Sequence, residues 1–329
     1  MGVSRDDDGN GKHVQHVHVD EAPPSSAAVP LGEAHAFAHG PDGTRLFVRT
    51  KSSAHDAHGS PDPRAVRLVL CDGILCDGFI WKYLWKDLAE VAPLVHWHYR
   101  GHGRSGRPVD PELIDIGAHA EDLWAVRQHV GNPPVVLVGH SMGCQVALEC
   151  YRRHPENVRG LILECGTFGK VTSTFRGVPI LDMVLPKLLD VALKAPEVVR
   201  AIWSRIPPEI ALKVALKAGE IDPDKVHPED VLPYLHHMTH VDFPLFLRML
   251  RAAGEHTASD WLGEVAVPTL IIAGERDTFT PSFLAQSMAD AIPGAELMMV
   301  TRGTHVAPIE QPEAVNARIE SFYRERVLA

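Results

Sequence analysis

At 329 residues, 45% apolar and 22% charged, the chain has the balance of a folded globular protein. That composition excludes a wholly disordered chain, a collagen-like fibre and a small disulfide scaffold, while the length suits two average domains or one large α/β domain carrying an insertion. With 32 basic against 42 acidic residues, the net charge of −10 repels phosphate backbones and anionic lipid, which argues against nucleic acid as a partner.

Residues 1–32 are polar, with the run DDDGNG, histidines at 13, 16 and 18, and the stretch EAPPSSAAVP. They read as a flexible N-terminal arm rather than core, and the arm is preferred to a metal site on the three histidines. The beginning MGVSRDDDGNGKH has no apolar core of a signal peptide, and no apolar run in the chain approaches the roughly 20 residues of a membrane span. Cysteines 71, 76, 144, 150 and 165 make an odd number, which points to a reducing compartment and a cytoplasmic protein. Cys71 and Cys76 are expected reduced and buried, and Cys144 in the core.

The runs HAFAH and TRLFVRT around the turn GPDG predict a hairpin. A repeated strand–turn–helix pattern follows. Strands are expected at Val66–Leu70, Leu94–Trp97, Val135–Val138 and Val158–Leu163. Helices are expected at Phe79–Val91, Ile116–Val130 and Met142–His154. From about 168 to 262 no strand is evident; instead LPKLLDVALKA, PEVVRAIWSRI, PEIALKVALKAG and PEDVLPYLHHM read as helices, several opened by proline. The pattern then resumes with strands at Thr269–Ala273 and Glu296–Val300 and helices at Pro281–Ala291 and Pro312–Arg326. Continuous apolar strands alternating with helices predict an α/β fold with a mostly parallel central sheet flanked by helices. The expected division is a core of residues 33–167 and 263–329, with 168–262 an inserted all-helical cap, or lid, over the sheet edge where open α/β sheets bind ligands.

The chemistry concentrates in Gly139-His140-Ser141-Met142-Gly143, a G-x-S-x-G set between an apolar strand and an amphipathic helix. The pattern alone arises by chance in roughly one chain in ten of this length. Its strand-to-helix setting makes it specific, because the two glycines relieve a turn too sharp for side chains and push the serine hydroxyl into the open. In that context the chain resembles the α/β-hydrolase-fold serine hydrolases with a helical cap, over roughly residues 33–327. VPTLIIAGERDTFTP resembles the family's acid-bearing segment and points to Asp277; VTRGTHVAPIEQPEAV resembles its histidine segment and points to His305. The order Ser141, Asp277, His305 is that of the fold. Glu164, at the end of the strand after the nucleophile helix, is the competing acid.

The resemblance implies a Ser141 nucleophile, a His305 base, an Asp277 that orients it, and an oxyanion hole of the Met142 and Ile74 backbone N–H groups. It implies no cofactor and no metal. Two departures stand out. Asp72-Gly73 replaces the usual His-Gly, and Asp72 is expected to turn away and bind loop amides; His98 stands where relatives often have Asp in HYRGHGRSG. Arg100 and Ser105 read as structural turn residues, and His236, His237 and His240 as surface or packing residues of the cap. The implied activity is cleavage of a carboxylic ester or lactone through an acyl-enzyme, and a cap rich in Leu, Val, Ile and Ala favours a medium-sized apolar acyl or alcohol group. Other acyl transfer, C–C bond hydrolysis, or a ligand-binding sensor with little turnover remain open, as does the oligomeric state.

Overall fold

The computed structural model describes residues 32–53, 62, 64–174, 180–217 and 219–329. The expected N-terminal arm and its histidines at 13, 16 and 18 lie almost wholly outside them.

Eight strands form one sheet in the order β1-β2-β4-β3-β5-β6-β7-β8. β1 (Glu33–His39) and β2 (Arg45–Lys51) are the expected hairpin, and β2 runs antiparallel to β4 (Leu94–Trp97). All other neighbours are parallel: β3 (Arg67–Cys71), β5 (Val135–His140), β6 (Val158–Glu164), β7 (Thr269–Gly274) and β8 (Glu296–Val300). From β3 the chain steps to β4 on one side and then to β5 on the other. This reversal opens a crevice beyond the carboxyl ends of β3 and β5, where ligands of such sheets bind.

The strands are apolar on both faces because both are covered. Val69, Leu137 and Leu163 share a buried cluster with α2 (Ile116–His129) and α3 (Met142–Arg153). Their neighbours Leu70, Val138 and Ile162 face the opposite cluster, which contains Trp85 of α1 (Lys82–Asp87). Between β6 and β7 the chain forms α4 (Val171–Thr174), α5 (Ile180–Lys194), α6 (Pro196–Trp203), α7 (Pro208–Lys217), α8 (Pro228–Met238) and α9 (Phe243–Glu255). α5 packs Leu185, Leu189 and Ala192 against Leu247 of α9, and Val231 and Leu235 of α8 join the sheet's second cluster. α10 (Ser282–Ala291), α11 (Ala307–Glu310) and α12 (Pro312–Phe322) complete the layers, with Phe322 buried against the same second cluster.

Two local expectations change. Phe79–Val91 is a short helix, α1, between two 3₁₀ turns at Phe79–Trp81 and Leu88–Glu90. The tight first turn follows Gly78, whose φ of 97° suits glycine; a side chain there would strike His96 and Arg49. The last helix ends at Phe322 and finishes in a wide turn over Tyr323–Val327. Arg100 has the structural role expected of it. It is buried in an ion pair with Asp122 at 2.6 Å and also reaches Asp42 and the Leu113 carbonyl, which ties the turn after β4 to α2. Ser105 donates to the His98 carbonyl and accepts from the Phe47 amide.

Candidate active site

Ser141 joins β5 to α3 with φ 56° and ψ −120°, a strained conformation for a side chain-bearing residue. Glycine is required on both sides of it. A Cβ on Gly139 would lie 2.4 Å from the Gly143 carbonyl, and one on Gly143 would lie 2.1 Å from the Cys71 carbonyl. The turn is therefore packed backbone to backbone against the end of β3.

His305 lies in the loop after β8, and its Nε2 is 3.0 Å from Ser141 Oγ. Its Nδ1 is 2.8 Å from Asp277 Oδ2 in the loop after β7. Asp277 is itself held firmly: Oδ1 accepts from the amides of Phe279 at 2.9 Å and Thr280 at 2.8 Å, and Oδ2 accepts the Thr280 hydroxyl at 2.7 Å. A carboxylate that accepts only is saturated by this set. The two loops approach closely because residue 274 lacks a side chain; a Cβ there would meet the Thr304 carbonyl at 2.3 Å. Glu310 secures the histidine loop by accepting from the Thr304 amide and hydroxyl at 2.7 and 2.8 Å.

The structure thus brings Ser141, His305 and Asp277 into one hydrogen-bonded chain, and leaves Glu164 out of it. Glu164 is fully buried, its carboxyl oxygens have no hydrogen-bond partner among the described residues, and burial pushes its pKa up to about 8. Ile74 lines the same cavity as Ser141, and a Cβ on the adjoining Gly73 would sit 3.2 Å from Ser141 Cβ. Met142 is the first residue of α3, so its N–H has no acceptor within the helix.

Asp72 departs from expectation. Its carboxylate binds side chains, not loop amides: Oδ1 accepts from Trp81 Nε1 at 2.7 Å, and Oδ2 pairs with His96 Nε2 at 3.0 Å. His96 Nδ1 in turn accepts from Arg49 Nε, so the ring is neutral and donates to Asp72. These partners come from the 3₁₀ turn, β4 and β2, and only folding brings them to residue 72. Burial raises the Asp72 pKa to about 7 and holds His96 well below the usual histidine value. His98, at the second departure, is buried and accepts the Arg104 amide through Nδ1.

The cavity has a volume of about 570 Å³ and is bounded on the far side by α7 and α8, through residues such as Ile210, Val214 and Leu235. Tyr234, stacked on Phe79 with ring centroids 4.2 Å apart, and Phe279, 4.9 Å from the His305 ring, also line it. Nothing in the sequence marked either aromatic, since each becomes a wall residue only through contacts distant in the chain. His237 packs near Asp77 and His102, and none of His236, His237 and His240 lines the cavity. All five cysteines are free and buried. Among the described residues no helix is long and apolar enough to cross a membrane.

A family model described as the alpha/beta hydrolase fold matches residues 66–312. Among curated proteins, the chain is 23% identical to a Rhizobium rhizogenes protein provisionally named carbamate hydrolase RutD, covering 82% of this chain and 97% of that one. Among solved structures it is similar to an esterase from Exiguobacterium antarcticum, with TM-score 0.70 and 22% identity over 89% of this chain and all of the other. It is also similar to an enol-lactonase from Burkholderia xenovorans, with TM-score 0.68 and 20% identity over 88% of this chain and all of the other.

Proposed function

The chain belongs to the α/β-hydrolase family, and from that premise we propose that it is a serine hydrolase that cleaves a carboxylic ester or lactone through an acyl-enzyme. The observation that carries this reading is the unbroken hydrogen-bond chain from Ser141 Oγ through His305 to Asp277, at 3.0 and 2.8 Å. A serine hydroxyl is a weak nucleophile at neutral pH. His305 Nε2 takes its proton as Oγ attacks the substrate carbonyl, then returns it to the leaving oxygen. Asp277 accepts the Nδ1–H of His305, which leaves the Nε2 lone pair facing Ser141, and it stabilises the imidazolium formed during attack. The amides of Met142 and Ile74 receive the charge that develops on the carbonyl oxygen; loss of one such donor commonly costs on the order of 3 kcal/mol. Water then repeats the sequence on the acyl-enzyme, with His305 as its base.

The helices between β6 and β7 act in this proposal as a cap, residues 168–262 over a core of 33–167 and 263–329. Ile210 and Val214 of α7 line the cavity while remaining 53% and 61% exposed, so they form its rim. The apolar walls favour a medium-sized apolar acyl or alcohol group. A carbamate is the second reading, on the strength of the relative's provisional name, because the same nucleophile can attack a carbamate carbonyl.

The test is steady-state hydrolysis of a panel of p-nitrophenyl esters of increasing chain length, lactones and aryl carbamates by the wild type and a folded Ser141→Ala variant. The expected result is turnover greatest on a medium-chain ester or a lactone and abolished by the substitution. Turnover confined to carbamates would favour the second reading. Turnover that survives Ser141→Ala would refute both.

A further inference from the structure

His140, between Gly139 and Ser141 in the sharp turn, or elbow, that joins β5 to α3, is 2% exposed and takes no part in the proton transfers proposed above. Its Nε2 lies 2.9 Å from the main-chain oxygen of His305. A carbonyl can only accept, so the proton of this neutral ring sits on Nε2. Burial, with the nearby His305 ring, lowers its pKa to about 3, which preserves that donor through the neutral range. Among the described residues, no other donor reaches the His305 carbonyl.

The same ring touches the other parts of the site. Its centroid is 5.0 Å from that of His305. The position a Cβ would take on Gly73 lies 3.1 Å from His140 Nδ1, so the proposed oxyanion loop rests against the ring's second nitrogen. Trp81, whose indole N–H holds Asp72, meets His140 edge-on at 6.3 Å. One imidazole is therefore packed between the nucleophile turn, the histidine loop and the Gly73 loop.

We infer that His140 is a positioning residue: its Nε2–H, bonded to the His305 carbonyl, fixes the histidine loop in register with the serine beside it. The inference rests on the serine-hydrolase reading. Asp277 fixes the tilt of the His305 ring from its Nδ1 side, and His140 fixes the peptide that carries the ring. Without the second restraint, Nε2 drifts from Oγ by a fraction of an ångström to an ångström, and a misplacement of that size costs up to about 100-fold in rate.

The experiment compares His140→Phe, which keeps a flat ring without a donor, with His140→Asn and His140→Gln, which keep an N–H. Ester hydrolysis and the rate of fluorophosphonate reaction are both measured. The expected result for His140→Phe is a fall of about 10- to 100-fold in kcat with KM within about twofold and a matching loss in fluorophosphonate rate, with at least one amide variant regaining part of both. A folded His140→Phe enzyme with wild-type kcat, or amide variants as slow as it, would overturn the inference while leaving the hydrolase reading intact. Wild-type protein inert to every ester and to the fluorophosphonate would overturn the reading itself. Should the phenylalanine variant fail to fold, ring ¹⁵N spectroscopy of the wild type decides. A slowly exchanging proton on His140 Nε2 is expected, and a ring protonated on Nδ1 alone near neutral pH would refute the bond.

Discussion

Replacing Glu164 by glutamine isolates the cost of a carboxyl that is buried without a hydrogen-bond partner among the described residues. Unfolded, this group gives up its proton near the ordinary value of 4.5; folded, it holds it to about pH 8 because burial disfavours the charge. The native state therefore binds one more proton than the unfolded chain throughout that window, and its stability falls as pH rises from the lower value to the higher. Each pH unit in that interval is worth about 1.4 kcal/mol, so about 3 kcal/mol is lost between about pH 5 and pH 7. Glu164→Gln has nothing to ionise at this position. Urea unfolding of wild type and variant across this range should give stability differences that change by about 3 kcal/mol in the variant's favour as pH rises, whatever constant offset the amide introduces. Parallel pH profiles for the two proteins would refute the reasoning and show that Glu164 finds a partner or water.

Buried histidines act in the opposite direction. His96, His98 and His119 are held well below the ordinary 6.5, and His102 is lowered to about 4, all chiefly by burial. The unfolded chain takes up protons on them first, so stability should fall as pH drops below about 6.5, read as a declining urea midpoint; a flat acid limb would contradict this. Gly143→Ala puts a Cβ 2.1 Å from one main-chain oxygen and 2.7 Å from another, neither the end of a flexible side chain. It should cost about 3 kcal/mol or more, and a wild-type melting temperature would show that the elbow relaxes at no cost. Asp277→Asn keeps the shape of the residue but spoils the tautomer of His305, and should lower kcat by on the order of 10⁴ with the fold unchanged. Retention of activity, with a further loss on Glu164→Gln, would identify Glu164 as the acid instead.

The sequence marks what depends on nearest neighbours and strand order. Leu94–Trp97 and Glu296–Val300 are strands at the expected bounds, because apolar runs flanked by turn residues leave little choice. The three residues of the hydrogen-bonded chain were legible because each follows a strand in a recognisable segment, and strand order brings the loops together. The partners of Asp72 were not legible. Trp81 and His96 lie 9 and 24 residues away, and no local rule selects them over the loop amides. His140 was visible only as the variable residue of G-x-S-x-G; its bond to a carbonyl 165 positions later exists only after β5 and the His305 loop have packed. The cavity wall is likewise a product of long-range packing, since α7 and α8 read as amphipathic helices whatever they cover.

The central claim is that Ser141, His305 and Asp277 act as one nucleophilic unit, and covalent labelling tests it most directly. The native protein would be treated with a fluorophosphonate, which phosphonylates an activated serine, and digested for peptide mass spectrometry. The account expects one adduct, on Ser141, absent in Ser141→Ala and formed far more slowly in His305→Ala. An adduct on another serine, or a Ser141 that labels equally fast without His305, would contradict it.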